Sequence, residues 1–322
     1  MTPVLELVAA LALFVGPTPP YVLPSLVFAD AQHAWAGGEG GILATSDGGA
    51  HWRVVWHGAG STLDAVDATH AWALTDNGVT IRTTDGAHWR ALGVQHLLRL
   101  SFASASDGFA LGRDDFVMRT HDGGATWTPT GGPQRLQSIC FGSAKTGWVA
   151  RNGTVWTTSD AGSHWHAHTI VRAKQGFPIP DLYCRGKDVW IVLHEGAAAG
   201  TEGYRIFRSF DGGASWRAVF GSFASPLPRV SNYSGPIAAL GEGDAVLEGS
   251  CSPCNGYGTV TFVHGSIRTT LSAARPGPVA FADRRRGLAI LTPSPRGLPA
   301  VYRTLDGGRT WKRVFASKRL RP

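Results

Sequence analysis

The sequence predicts an all-β fold, a seven-bladed β-propeller made of four-stranded antiparallel blades. A turn motif recurs at a nearly constant spacing, short β-rich runs bounded by Gly, Asn and Asp separate its copies, and no long helical period appears. The chain has 322 residues, of which 42 are Gly and 16% are charged. This composition is typical of all-β proteins with many tight turns.

The recurrent motif, here called the box, reads SDGGAHW in its first copy and occurs six times. The first four copies are 37 or 38 residues apart, whereas the last gap, from 211 to 306, is two repeats wide. Strand-like sequence without a box, beginning at 243 and 258, fills that gap and predicts a degenerate sixth blade. The Asp and Trp of the boxes are Asp47 and Trp52, Asp85 and Trp89, Asp122 and Trp127, Asp160 and Trp165, Asp211 and Trp216, and Asp306 and Trp311.

The order of runs within a repeat predicts four strands per blade. In the fourth repeat LQSICFGS, GWVARNG and TVWTTSDAGSHW follow one another, and a fourth strand is expected to begin at the box Trp. One blade cannot bury both of its faces, so the ring must form a single domain over residues 21–316. With 43% hydrophobic residues and 12 Trp, the chain can bury a large core.

The boxes are expected to be structural. Gly in the box permits positive φ, the Asp carboxylate can accept bonds from nearby backbone N–H groups, and the Ser or Thr before it can add another. The Trp then buries its ring in the blade. Six copies, one per blade, cannot converge on a single pocket, so the boxes do not predict an active site.

The two ends of the chain lie outside the predicted propeller. Residues 1–20 contain an apolar run of eleven residues, too short to span a bilayer, which suits a signal peptide or an extra strand against the last repeat. Residues 317–322 form a basic tail. The net charge of +7 suits an anionic partner or simply solubility, and without a block of five like charges it does not favour nucleic-acid binding.

Cysteine and histidine patterns raise three further hypotheses. His164, His166 and His168 alternate, which on a strand would place three imidazoles on one face for a metal, or form a polar outer face. Cys251 and Cys254 suit a loop disulfide better than redox chemistry. Cys140 and Cys184 fall at equivalent places in two first strands, as neighbours or as separate buried thiols.

The boxes, with upstream segments such as TGWV at 146–149 and HAWA at 70–73, resemble the BNR or Asp-box repeat propellers. The pattern looks most like the photosystem II stability/assembly factor type. This resemblance implies a non-catalytic propeller that docks proteins in or at a membrane. We therefore expect a binding or assembly module for protein partners, without a cofactor, monomeric, peripheral to any membrane, and exported, periplasmic or in the cell envelope, with the cytoplasm as the other location.

Two enzyme families share the box, so a secreted carbohydrate-active propeller is the alternative. Sialidases also carry an Arg-Ile-Pro segment, and the nearest match, Tyr204-Arg205-Ile206-Phe207, lacks the Pro. Xyloglucanase-type glycosidases resemble two facing propellers, and this chain has the length of one. An acidic pair facing the axis would favour an enzyme, and its candidates in the inner turns are Glu39, Asp76, Asp114 and Glu195.

Loop length predicts where a partner binds. The turns between second and third strands are short in the first three repeats and expand in repeats five to seven, as do two connections between blades. These segments would rise on the face opposite the boxes and mix Arg with aromatic residues, as binding hot spots do. The alternative is insertions that bind nothing. The predicted platform residues are Arg172, Lys174, Phe177, Phe223, Arg229, Tyr233, Tyr257 and Arg296.

Overall fold

The computed structural model confirms the seven-bladed β-propeller. It describes residues 25–113, 116–172, 178–198, 200–222, 225–251, 257–263, 268–271, 275–292 and 300–316. Seven four-stranded antiparallel sheets account for every strand in these ranges, which contain no helix. The described part of the chain therefore also holds no helix of the length and apolarity needed to cross a membrane.

Each blade is one sequence repeat whose strands pair in chain order. Blades 1 and 2 contain β1 (Ser25–Phe28), β2 (Ala34–Gly38), β3 (Gly41–Thr45), β4 (Arg53–Trp56), β5 (Thr62–Ala65), β6 (Ala71–Leu74), β7 (Val79–Thr83) and β8 (Trp89–Val94). Blades 3 and 4 contain β9 (Leu97–Phe102), β10 (Gly108–Gly112), β11 (Val117–Thr120), β12 (Thr128–Pro129), β13 (Ser138–Phe141), β14 (Gly147–Arg151), β15 (Thr154–Thr158) and β16 (His166–Thr169). Blades 5 to 7 contain β17 (Ile179–Arg185), β18 (Asp188–Ala198), β19 (Thr201–Ser209), β20 (Arg217–Gly221), β21 (Tyr233–Gly241), β22 (Asp244–Cys251), β23 (Tyr257–Phe262), β24 (Arg268–Leu271), β25 (Arg275–Phe281), β26 (Gly287–Thr292), β27 (Ala300–Thr304) and β28 (Lys312–Ala316).

The first strand of every blade faces a central channel with a volume of about 560 Å³. Each first strand contacts the next, and β25 of the last blade contacts β1 of the first, which closes the ring. The sixth blade, β21 to β24, confirms the degenerate repeat. Residues 1–20 and 317–322 lie outside the described residues, so the signal-segment, closing-strand and basic-tail hypotheses stay predictions.

Large side chains of the second strands fill the seams between blades. The residues in this position, fully buried, are Trp35, Trp72, Phe109, Trp148, Trp190 and Leu288. The ring of Trp72 stacks on Phe102 of the next blade at a centroid distance of 3.6 Å, and Phe109 stacks on Phe141 at 3.5 Å. Such pairs add to the free energy gained from burial alone, so the aromatic residues bind neighbouring blades together.

Two of these indoles also bond to the box of the following blade. Trp72 Nε1 donates to the carbonyl of Gly123 and Trp148 Nε1 to that of Gly212, both at 2.9 Å. Trp35 and Trp190 are equally buried, yet their Nε1 atoms have no partner among the described residues. The blade after Trp190 has no box, and the box after Trp35 is one residue shorter than the others. Both indoles without a bond thus face a blade that lacks a full-length box.

Completing the second box is expected to stabilise the protein. Insertion of one Gly after Gly86 turns TDGAHW into TDGGAHW and gives the second box the length of the boxes that accept from Trp72 and Trp148. With that length restored, we expect box carbonyls to accept from the buried Nε1 atoms of Trp35 and Trp89. Leaving such a donor unpaired costs about 1 to 3 kcal/mol, so we expect a rise of about that size in the free energy of unfolding, measured by denaturant titration. The same insertion after Gly123, in a complete box, should destabilise. A fall in stability for the first variant would contradict the idea that the shorter box leaves these two indole donors unpaired.

Candidate functional site

Each box forms the turn between the third and fourth strands of its blade, so all six lie on one face of the ring. In the third box, Asp122 Oδ1 accepts from the hydroxyl of Thr120 at 2.8 Å and from the backbone N–H of Thr126 at 2.9 Å. Its Oδ2 accepts from the Thr126 hydroxyl at 2.7 Å. The Thr126 bonds are the main cause of the low pKa of Asp122, about 2. The hydrogen bonds of this carboxylate thus lie within its own turn.

The other parts of the third box are also locally bonded. Gly123 and Gly124 have φ of 69° and 87°, which a residue with a side chain adopts only with strain. Trp127 Nε1 donates to the carbonyl of Gly124 at 3.1 Å. The hydroxyl that bonds the Asp comes from two residues before it. In every box except the second, this hydroxyl also accepts from the N–H of the Gly two residues after the Asp. We infer that the boxes brace the blades.

The three alternating histidines do not share a strand face, contrary to the sequence expectation. Strand β16 begins only at His166, and His164 belongs to the box, where its Nδ1 lies 2.6 Å from Asp160 Oδ2. His166 and His168 are exposed on β16. In the part of the chain that the structure describes, no group of three or more His, Cys, Asp or Glu is arranged to hold a metal ion.

Cys140 and Cys184 form a disulfide between the first strands of blades 4 and 5, with their Cα atoms 6.0 Å apart. Both residues line the central channel. The bond therefore joins two blades at the channel wall. Cys254 and the side chain of Cys251 lie outside the described residues, so their pairing stays a prediction.

The predicted platform is described only in part. Arg172 and Arg229 are exposed, whereas Tyr233 lies half-buried within β21. Lys174, Phe177, Phe223, Arg296 and the side chain of Tyr257 lie outside the described residues. The expected long turn at 194–203 is instead part of a hairpin, since β18 and β19 pair as far as Ala198 and Thr201, with a register shift between His194 and Ala197. The strands themselves, rather than a loop, project on this face.

Four charged side chains meet on the face opposite the boxes, and we call them the channel-mouth cluster: Arg99, Asp181, His194 and Glu202. Arg99 of blade 3 reaches Asp181 of blade 5, with Nη2 and Oδ1 3.0 Å apart. His194 lies between two carboxylates, with Nδ1 2.6 Å from Glu202 Oε1 and Nε2 3.3 Å from Asp181 Oδ2. Glu202 also accepts from the backbone N–H of Ser234 in blade 6 at 3.0 Å. The cluster thus ties three blades together.

His194 is positively charged at neutral pH. Burial alone would favour its neutral form, but hydrogen bonds with Asp181 and Glu202 outweigh that effect and raise its pKa to about 9. With Arg99, the cluster then carries two positive and two negative charges. It is a neutral, mutually bonded network.

The His194 network predicts a pH-dependent stability. Because the folded pKa of about 9 exceeds the unfolded value, its contribution is complete below about pH 6.5 and is lost as the pH rises through 9. We expect the unfolding free energies of the wild type and His194→Gln to differ by about 3 kcal/mol at pH 6 and to converge above pH 9. Denaturant titrations at each pH measure this difference. A constant difference across that range would contradict the assignment.

Glu248 is a buried carboxyl beside the same cluster. It is 5% exposed, and its Oε2 has no hydrogen-bond partner among the described residues. Burial raises its pKa to about 8. Tyr183 of blade 5 is close enough to interact with Glu248 and Asp181, and burial together with those carboxylates raises the pKa of its phenol. A carboxyl kept in such surroundings lowers stability, which is common where a surface serves a function.

Replacing Glu248 is expected to stabilise the protein. A group whose folded pKa is about 8 binds a proton that the unfolded chain releases near pH 4.5, so the wild type loses stability as pH rises between these values. At pH 7 we expect Glu248→Gln to raise the free energy of unfolding by about 2 to 3 kcal/mol, with little effect at pH 4. Thermal unfolding at both pH values checks this. A variant less stable than the wild type at pH 7 would show that the carboxyl has a stabilising partner.

Two exposed apolar side chains lie on the strands that carry Arg99 and Asp181. Leu98 precedes Arg99 on β9 and is 46% exposed, and Ile179, two residues before Asp181 on β17, is 44% exposed. Sequence reasoning missed this site because its residues come from strands spread over residues 98–202 and become neighbours only in the closed ring. The lengthened repeat at 194–203 was the one signal that pointed to blade 5.

The comparisons with known proteins support the fold and leave the activity open. No family model matches the chain. The xyloglucanase Xgh74A of Acetivibrio thermocellus is 25% identical over 198 residues, which cover 50% of this chain and 22% of that enzyme. This chain therefore matches only about a fifth of its curated relative.

Solved structures give the same mixed picture. YCF48 bound to a D1 peptide has a TM-score of 0.57 at 15% identity, with 94% of this chain and 93% of that chain covered. YCF48 from Cyanidioschyzon merolae has a TM-score of 0.53 at 17% identity, covering 77% and 83%. An ancestral GH74 enzyme has a TM-score of 0.56 at 10% identity, covering 90% of this chain and 44% of that chain. At these identities the similarity concerns the propeller fold alone.

Proposed function

We propose that this chain is a non-catalytic propeller that binds a protein partner through the channel mouth of blades 3 to 5. The partner would lie on the face opposite the boxes, over the channel-mouth cluster and against Leu98 and Ile179. The exposed Arg172 and Arg229 extend this surface, as the sequence predicts.

The observation that carries the proposal is the asymmetry of blade 5. Its strands β18 and β19 have 11 and 9 residues, whereas the second and third strands of blades 1 to 4 have four or five. The extended hairpin holds His194 and Glu202 in a bonded network beside exposed apolar side chains. Apolar contacts surrounded by ordered polar groups are the arrangement of binding hot spots.

Two further observations support this proposal. The Cys140–Cys184 disulfide holds the strands beneath the surface together and suits an oxidising compartment, so we propose an exported, periplasmic or envelope location. YCF48, which has a similar fold, was solved with a D1 peptide bound, and a peptide-binding role for this chain is proposed by analogy.

The test is comparative co-purification from the native host with a tagged chain. We expect Leu98→Asp/Ile179→Asp to lose the proteins that the wild type retains, and the charge reversal of Arg172, Arg229 and Arg296 to lose them as well. Arg90→Glu/Arg217→Glu, on exposed outer-strand positions, is the matched control and should retain them. If the Leu98/Ile179 variant and the arginine variant both capture the same proteins as the wild type, the proposal is wrong.

A carbohydrate-binding role is the second candidate, favoured by the xyloglucanase similarity and by a cavity between blades 1 and 2. This cavity has a volume of about 490 Å³ and is lined by Trp56, Asp76 and Asn77, the kinds of side chain that hold a sugar ring and its hydroxyls. Glu195, another acidic candidate, is paired with Arg205, and Asp114 lies outside the described residues. Glycan-array binding that Trp56→Ala abolishes, or turnover of a fluorogenic glycoside, would favour this candidate.

A further inference from the structure

The seam between blades 7 and 1 contains a groove that neither proposed function uses. It has a volume of about 690 Å³ and lies on the box side of the ring, away from the channel mouth. The box of blade 1 contributes Ala50 and His51. Blade 7 contributes the rest of the lining: Arg303, Leu305, Thr310, Trp311, Lys312, Arg313 and Val314. The groove thus has three cations and no acidic residue in its lining.

None of these three cations forms an ion pair or side-chain hydrogen bond with any described residue. The seam between blades 2 and 3 differs in this respect. There Arg82, which occupies the position of Arg303, donates from Nη1 to the carbonyls of Asp122 and Gly123 at 2.7 Å. Arg303 makes no such bond to the first box, so its guanidinium is available to a ligand.

The groove also offers apolar contacts and the outer edge of strand β28. Leu305 is 51% exposed, and Trp311 and Val314 are partly exposed beside the cations. Among the described strands β28 pairs only with β27, so its other edge presents backbone N–H and C=O groups that no described strand pairs. An extended peptide can add to such an edge and place alternate side chains in the groove.

We propose that this groove binds an acidic, extended peptide segment of a partner protein. Carboxylates would pair with Arg303, Lys312 and Arg313, and apolar side chains would contact Leu305 and Trp311. A peptide fits better than nucleic acid because the groove lining mixes the three cations with the apolar side chains of Leu305, Trp311 and Val314.

Fluorescence anisotropy with a labelled ten-residue peptide of alternating Glu and Val tests this proposal, with the Gln and Val peptide as its neutral match. We expect the full chain to bind the acidic peptide at least tenfold more tightly at low salt, and this preference to fall as salt rises. Arg303→Gln/Lys312→Gln/Arg313→Gln should abolish the preference. Arg90→Gln/Arg217→Gln, at the positions of Lys312 in blades 2 and 5, should preserve it.

Two further variants keep the outcome informative. Leu305→Asp, a single surface change that leaves all three cations, should also weaken binding of the acidic peptide. Leu98→Asp/Ile179→Asp should leave it unchanged, since the channel mouth is a separate surface. Equal affinity for both peptides would overturn the proposal. So would tighter binding of duplex DNA or phosphatidylserine vesicles through the same three cations, which would identify a different class of partner.

Discussion

Replacing Cys140 and Cys184 together with Ala is expected to lower the free energy of unfolding by about 4 kcal/mol. The disulfide spans 44 residues, and cross-linking a loop of that length removes a corresponding amount of chain entropy from the unfolded state. For a chain of this size the melting temperature should fall by roughly 10 °C. Non-reducing denaturant titration and thermal unfolding of both proteins measure the effect.

Reduction provides the control for this prediction. Dithiothreitol should lower the stability of the wild type towards that of the double variant and leave the variant nearly unchanged. Equal midpoints for wild type and variant without reductant would mean that the two sulfurs are not bonded in solution. The location proposed for the protein would then lose its physical support.

Trp127→Ala is expected to lower the free energy of unfolding by about 3 to 5 kcal/mol, the usual cost of removing a large ring from a packed seam. The indole packs edge-on against Phe102, at a centroid distance of 5.8 Å, and donates to Gly124 and to Gln95 Oε1. Both the packing and the bonds are lost with the side chain. Chemical denaturation of the variant measures the change.

Asp122→Ala, in the same turn, is expected to cost less, about 1 to 3 kcal/mol, because it removes hydrogen bonds at a partly exposed site without opening a cavity. The pair of variants tests the bracing role of the boxes from both ends of one motif. Melting temperatures equal to that of the wild type for both would refute that role.

The architecture was predictable because every blade must solve the same packing problem. A turn that needs positive φ, a local acceptor and a buried indole selects Gly, Asp and Trp in each repeat, so the spacing of Asp47, Asp85 and Asp122 counts blades directly. The sixth blade was predictable despite having no box because its strand sequence fills a gap of two repeats. A blade therefore requires four strand-forming segments and can form without a box.

The channel-mouth cluster was not predictable because it depends on register and ring closure. Arg99 and Asp181 belong to blades 3 and 5, and no sequence pattern states that their side chains meet across the channel mouth. The disulfide was undecided for the same reason, since equivalent positions in adjacent first strands become bonded only when the strands have the right offset. The sequence predicts a loop at 194–203 because its Gly and Ala residues have little strand preference, and cross-strand pairing overrides that preference.

The most direct test of the proposed function is hydrogen–deuterium exchange of the chain with and without a partner that it retains from its host. If the channel mouth binds that partner, amides in β9, β17 and the hairpin of β18 and β19 become protected in the complex, while those in the box turns of blades 2 to 5 do not change. Protection that falls on the box turns and spares blades 3 and 5 would contradict this assignment.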